Sequence, residues 1–118
     1  MDLPPVDHSS PVPPFEQVRD GLAEAVRTRQ LAPGDRLPTV RSLATDLGLA
    51  SNTVARAYRE LEQAGVIETR GRNGTFVAAQ GVGRSTEAAL ATAAYVRRLR
   101  ELGIGADEAV ELIREALS

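Results

Sequence analysis

The segment "SNTVARAYRE", residues 51–60, carries Ser51, Asn52, Thr53, Arg56 and Arg59. These are the residue types that grip and read a polyanion. An asparagine amide can pair bidentately with adenine and an arginine fork with guanine, whereas serine and threonine more often hold phosphate. Spacing decides whether they act together. At about 100° per residue, Val54, Ala57, Tyr58 and Leu61 fall on one side of a helix, and Asn52, Ala55, Arg56 and Arg59 on the other. The polar face begins at the helix N-terminus, where the dipole is positive and N–H groups are free. A helix of this kind fits the major groove of DNA with its first turn toward the bases. Alone, it is equally a solvated helix whose arginines pair with Glu60 and Glu62. Convergence separates the two readings. Arg41 opens the preceding helix, and Arg70, Gly71, Arg72, Asn73 and Gly74 form a turn beyond, where phosphates and a minor groove would need basic groups.

The elements that must position these residues are legible from periodicity. Residues 1–14, "MDLPPVDHSSPVPP", are proline- and serine-rich without a period, and predict an extended arm. Its His8 is the chain's single histidine and has no second ligand candidate nearby, so it reads as an ordinary arm residue. Phe15, Val18, Leu22, Ala25 and Val26 predict an amphipathic helix over about 15–30. "LAPGDRLP" then reads as a loop, on Pro33, Gly34 and Pro38. Thr39 is a fitting N-cap for a helix over 40–47, with Val40, Leu43, Ala44 and Leu47 on one face. Gly48 suits a left-handed turn, Ala44 is small where the next helix crosses, and Leu49 and Val54 pack the pair: a helix-turn-helix. The second helix covers about 51–64. "VIETR" and "TFVA" predict two short strands, and Asn73-Gly74 signals a tight hairpin between them. Residues 80–84 read as a hinge. Ser85 is positioned to cap a fourth helix bearing Ala88, Tyr95, Val96, Leu99 and Leu102. After "GIGAD" a last helix carries Ala106, Ala109, Val110, Ile113 and Leu117.

Composition bounds the function. The 118 residues hold 42% hydrophobic and 25% charged residues, as in a globular domain with room for one appendage. No apolar run approaches the roughly 20 residues of a membrane span, and no signal peptide is visible, so a cytoplasmic location is expected. Cysteine is absent, which excludes disulfides and thiolate metal sites. With one histidine, no clustered acid pair and no phosphate-binding glycine loop, neither an enzyme, a metal nor a cofactor is expected. The net charge of −2 counts mildly against nucleic acid, but it is a sum: residues 15–79 hold nine arginines against eight acids, while both flanks are acidic. All the basic residues are arginine, which is read as genomic codon bias.

Residues 15–79, carried by "LAPGDRLPTVRSLATDLGLASNTVARAYRELEQAGVIETRGRNGTFV", resemble the winged-helix domain of GntR-family bacterial transcription regulators. "LPTVR" and "GTFV" are the specific segments. "SSPVPPFEQV", "NTVARAYREL" and the short tail resemble the YtrA-like subfamily, so the resemblance spans nearly the whole chain. It implies operator contacts at Arg41, Asn52, Thr53, Arg56 and the wing Arg70–Gly74, with Arg36 either a contact or structural. One departure is Ala50, where the family usually has a capping Ser or Asn. Since losing an N-cap costs about 1 kcal/mol, Ser51 is expected to take that role and start the helix one residue late.

The 38 residues after residue 80 are fewer than the roughly 50 of a small independent domain. Their apolar stripes, with Tyr95, Val96, Leu99, Leu102, Val110, Ile113 and Leu117, must pack on the first domain or on a second copy; a twofold dimer would also pair the recognition helices. The expected architecture is mainly α with a small β-wing: an arm (1–14), a winged helix-turn-helix (15–79), a hinge (80–84) and a two-helix dimerisation tail (85–118). The expected function is a homodimeric regulator, repression being the expected direction, on palindromic double-stranded operator DNA. Any small-molecule effector would enter between tail and wing or at the dimer seam. The rival reading is a winged-helix module that binds an acidic protein.

Overall fold

The helical stripes become five α-helices and the hairpin a small antiparallel sheet; the computed structural model describes residues 3–79 and 83–118. Helix α1 spans Pro14–Arg27, with proline in the first turn, where its missing N–H costs nothing. It stops three residues before the expected end. Arg29 takes a left-handed φ of 66°, and the Leu31 N–H donates to the Ala25 carbonyl at 2.9 Å. Another helical turn would have gained only exposed residues, whereas the reversal buries Leu31.

Helices α2 (Val40–Leu47) and α3 (Ser51–Gln63) lie where periodicity put them. The Thr39 hydroxyl accepts from the Ser42 N–H at 3.1 Å, and Gly48 closes α2 at φ 68°. Helix α3 packs against both α1 and α2, and its Val54, Ala57, Tyr58 and Leu61 are buried with Val18, Leu22, Leu43 and Ala44. Strands β1 (Ile67–Thr69) and β2 (Thr75–Val77) pair antiparallel, with Ile67 opposite Val77 and Thr69 opposite Thr75.

The proline-flanked stretch expected to be a loop is one, and a single isolated bridge, Arg36 opposite Phe76, ties it to β2. Gly34 N–H donates to the Val77 carbonyl at 3.1 Å, Val77 N–H to Asp35 at 2.8 Å, and Leu37 N–H to Thr75 at 2.8 Å. One local expectation is corrected: Asn73-Gly74 does not form a two-residue turn. A tight I′ turn needs positive φ at both central residues; Gly74 has φ 113°, but Asn73 is not among the residues with positive φ. Instead residues 70–74 form a wider loop with one 3₁₀ turn, Gly71–Asn73, closed by the Arg70 N–H on the Gly74 carbonyl at 2.8 Å.

The arm is not free chain. The Gln17 side chain accepts from the Asp7 N–H at 2.9 Å and donates to the carbonyls of Asp7 and Val12, both at 2.8 Å. Val12 is thereby buried, and Leu3 and Val6 lie against the core.

Beyond the wing, residues 80–82 of the expected hinge lie outside the described residues. Helix α4 spans Arg84–Glu101 with Gly83 as its N-cap, so Ser85 sits inside the first turn and caps nothing. Helix α5 spans Ala106–Leu117. Leu99 is buried, Leu90 packs on the core, and Arg100 Nη1 reaches Glu16 Oε2 at 2.6 Å, which joins α4 to α1. The Tyr95 hydroxyl donates to the Ala109 carbonyl at 3.1 Å and links α4 to α5, which buries none of its own residues.

Tyr58 gives a direct test of the packing around α3. Its hydroxyl donates to the Pro38 carbonyl at 2.6 Å, and burial pushes its pKa up to about 12. Above pH 10 the unfolded tyrosine loses a proton that the folded one keeps, so stability falls as pH rises from about 10 towards 12. Denaturation of Tyr58→Phe is expected to show a loss of about 0.5–1.5 kcal/mol at neutral pH, from the missing hydrogen bond, and no such alkaline decline from this position.

Candidate nucleic-acid interface

The site begins with the turn between α2 and α3. Gly48 in the left-handed region reverses the chain, and the Leu49 N–H donates to the Ala44 carbonyl at 2.9 Å. Ala44 is buried where α3 crosses, as expected for a small residue there. The turn sends Ala50 out extended, at φ −67° and ψ 145°, and Ala50, not Ser51, is the N-cap. Its carbonyl already accepts from the Thr53 N–H at 3.1 Å, so the first turn is closed before Ser51 can serve as the cap. The expected late start is therefore corrected: Ser51 is the first helical residue and α3 has no side-chain cap.

The consequence is a helix tip with nothing of its own over it. Ser51 and Asn52 are exposed and Thr53 is half-buried. Arg59 is exposed further along the same face, and Arg41 is exposed in the first turn of α2. The wing residues Arg70, Gly71, Arg72 and Asn73 are exposed, and Gly74 is half-buried.

The arginines divide into two groups. Among the described residues, Arg36, Arg41, Arg59 and Arg72 form no ion pair, and neither do Arg29 after α1 and Arg84 at the start of α4. Arg56 and Arg70 are held. The Arg70 guanidinium lies 4.4 Å from the centre of the Phe76 ring and bonds Glu68 at 2.6 Å, which lowers the Glu68 pKa. Arg56 lies 3.6 Å from the centre of the Phe15 ring, and its Nε faces Glu60 Oε2 at 3.4 Å. Glu60 Oε1 in turn bonds Arg19 Nη1 at 2.7 Å, the main reason its carboxyl is held below the ordinary glutamate value. Stacks of this kind at partly exposed sites are worth about 0.5–1 kcal/mol.

The Arg56–Glu60 pair is visible in the four-residue spacing. Phe15 and Arg19 carry no such signal, because they reach α3 from a helix some 40 positions away (Arg19 to Glu60, 41). Arg36 was open as contact or structure: its guanidinium lies against the wing, where a Cβ on Gly74 would meet Nε at 3.1 Å.

The tail residues differ in exposure. Val96, Leu102, Val110, Ile113 and Leu117 are exposed, Leu117 at 81%. Leu99, expected on the same seam, is already covered within the protomer, and Tyr95 is half-buried.

A pair of crossing helices joined by a glycine turn and followed by a two-stranded wing, with a polar helix tip open to solvent, defines a winged helix-turn-helix DNA-binding protein. Residues 14–77 match the profile of the bacterial regulatory proteins of the gntR family, and the chain belongs to that family. It is 49% identical over 110 residues to the HTH-type transcriptional regulator Rv1152 of Mycobacterium tuberculosis, covering 92% of this chain and 88% of that protein. It is 42% identical over 72 residues to the HTH-type transcriptional repressor YtrA of Bacillus subtilis, covering 61% of this chain and 55% of the repressor. The crystal structure of a transcriptional antiterminator from Listeria monocytogenes EGD-e superposes with a TM-score of 0.68 at 28% identity, over 99% of this chain and 91% of that one. YtrA from Sulfolobus acidocaldarius, a GntR-family transcription factor, superposes at 0.60 and 29% identity, over 95% and 94%. The chain is thus a GntR-family transcriptional regulator with YtrA among its relatives. Among the described residues no helix is long and apolar enough to cross a membrane.

The uncapped start of α3 is testable. Ala50→Ser supplies the missing acceptor and is expected to stabilise the fold by about 1 kcal/mol in denaturant melts. Ser51→Ala, at a position that caps nothing, is expected to change stability by less than about 0.5 kcal/mol.

Proposed function

We propose that the chain is a homodimeric repressor that binds a palindromic operator, with α3 in the major groove and the wing against the neighbouring minor groove. In this reading Arg41, Ser51, Asn52, Thr53, Arg56 and Arg59 face the major groove and its phosphates. Arg70, Gly71, Arg72, Asn73 and Gly74 face the minor groove. The observation that carries it is uncompensated charge. In a chain with more acids than bases, four of the six arginines without an ion pair among the described residues, Arg36, Arg41, Arg59 and Arg72, lie in or beside the helix-turn-helix and wing, the others being Arg29 and Arg84. A polyanion supplies what the fold withholds. Repression rests on the word used for the Bacillus subtilis relative.

Dimerisation through residues 85–118 rests on the opposite kind of surface. The large hydrophobics most exposed to solvent, Val96, Leu102, Val110, Leu112, Ile113 and Leu117, all lie on α4, α5 and their connection. Of these, Val96, Val110 and Ile113 line an open groove of about 740 Å³ together with Tyr95, Leu99 and Ile104. A second copy docked by a twofold axis covers both stripes at once and brings two α3 helices to one duplex. The winged domain of 15–79 and the tail are distinct functional parts in this reading, with the arm as packing for the first.

Two measurements test it. Ile113→Glu with Leu117→Glu is expected to turn a dimer into a folded monomer by sedimentation, and to weaken operator binding; an unchanged dimer would place the seam elsewhere. Affinity for a duplex selected from a random-sequence pool is expected to fall roughly 10³–10⁵-fold between about 50 and 200 mM salt, if 6–10 phosphates are contacted. Within that experiment Arg72→Ala should weaken all duplexes alike. A flat salt response, or equal affinity for every duplex, would favour a protein-binding module instead.

A further inference from the structure

The Arg56 guanidinium is the one cation on the outward face of α3 that is held on two sides, and the holding leaves a defined edge free. A guanidinium has five N–H donors: one on Nε and two on each terminal nitrogen. The Glu60 carboxylate occupies the Nε position at 3.4 Å, and the Phe15 ring covers one face at 3.6 Å from its centre. The side-on edge, which uses Nε, is therefore taken, and the end-on edge made by the two terminal nitrogens is not. Neither holder moves freely. Glu60 is fixed by Arg19 at 2.7 Å, and Arg19 Nε is fixed by the buried carboxylate of Asp20 at 3.0 Å. Phe15 stands in the first turn of α1, half-buried.

We propose that Phe15 and Glu60 are positioning residues that present Arg56 as an end-on fork, and so set a requirement for guanine at one base pair of each half-site. The proposal rests on the reading of α3 as the groove-facing helix. Guanine offers two acceptors, O6 and N7, to a fork made only of donors, whereas adenine offers N7 beside its own N6 donor. A guanidinium already ordered by α1 loses less freedom on meeting the base than a loose one, and the gain applies only where both terminal nitrogens find acceptors. Glu60 contributes a second way. Its negative charge stands beside the face meant for DNA, and Arg19 and Arg56 both lie on it, so a wrong base that pulled Arg56 aside would leave Glu60 toward the phosphates with one partner fewer. If the cluster served stability alone, its loss would lower binding to every duplex equally.

The test uses the full chain, a duplex selected from a random-sequence pool, and copies of it in which single guanines are replaced by 7-deazaguanine, which lacks the N7 acceptor. The wild type is expected to lose about tenfold or more at one guanine per half-site, and Arg56→Ala to lose that sensitivity. Phe15→Leu and Glu60→Gln are expected to cut the sensitivity several-fold while binding to an unselected duplex is retained, and Phe15→Tyr to keep it. In the Arg56→Ala background neither change should have further effect. If Phe15→Leu lowers the melting point too far to be read, Glu60→Gln carries the measurement, since it keeps the side-chain shape. Should both variants keep full guanine sensitivity, or should their effect persist without Arg56, the positioning role is wrong while operator reading stands. A wild type with no preference among duplexes overturns the role and the groove assignment together.

Discussion

The rest of the molecule depends on how completely α3 is divided into two faces. Val54 and Ala57 have no exposed surface, and Tyr58 and Leu61 have almost none, on a helix of 13 residues whose first two residues are open to solvent. A helix can be held this way only if neighbours close on it from more than one direction. Helix α1 covers one flank, α2 crosses another behind Ala44, and the Tyr58 hydroxyl ties the middle of the helix to the Pro38 carbonyl at the entrance of α2. Burying a large apolar side chain is worth about 1.5–3 kcal/mol, so the inward stripe fixes the rotation of α3, and the rotation fixes which side chains point out. The polar face has no freedom to choose.

Charge follows the same division. The chain as a whole is acidic, and most of its ion pairs among the described residues lie within a single helix; two join elements, Arg19 with Glu60 between α1 and α3, and Arg100 with Glu16 between α4 and α1. Pairs at exposed positions contribute little stability. What they do here is neutralise those arginines and acids against one another, while Arg36, Arg41, Arg59 and Arg72 in and beside the helix-turn-helix and wing are left without an ion-pair partner. A whole-chain sum of −2 conceals this, because it counts a paired and an unpaired arginine alike.

Much of the fold could be read from the residues alone. The 3.6-residue stripes located all five helices, the Thr39 cap and Gly48 fixed the limits of α2, and the polar face of α3 followed from its apolar one. The illegible parts share a physical cause, which is that distant chain decides them. Pro33, Gly34 and Pro38 mark a loop, but that it is pinned to the wing depends on the distant β2, which supplies the hydrogen-bond partners of residues 34–37. Nothing near Ala50 shows that the α2–α3 turn leaves it as the cap. Nothing in the arm shows that Gln17, reaching from α1, bonds two of its carbonyls. Likewise the stack of Arg56 on Phe15 joins residues with no common period. In the tail, periodicity marked apolar residues without saying which are already covered, so Leu99 and Leu117 looked alike and differ widely.

The crowding at the root of the wing has an implication for how such a hairpin can change. Gly74 holds a φ of 113°, and even the smallest side chain there would sit 3.1 Å from Arg36 Nε and 3.2 Å from its Nη2. A mutation at 74 therefore strains the strand entrance and displaces the Arg36 guanidinium at the same stroke, although the two residues lie far apart in sequence. Anyone retuning this loop for a new target would have to treat the glycine and the arginine as a single inherited unit, altering both or neither.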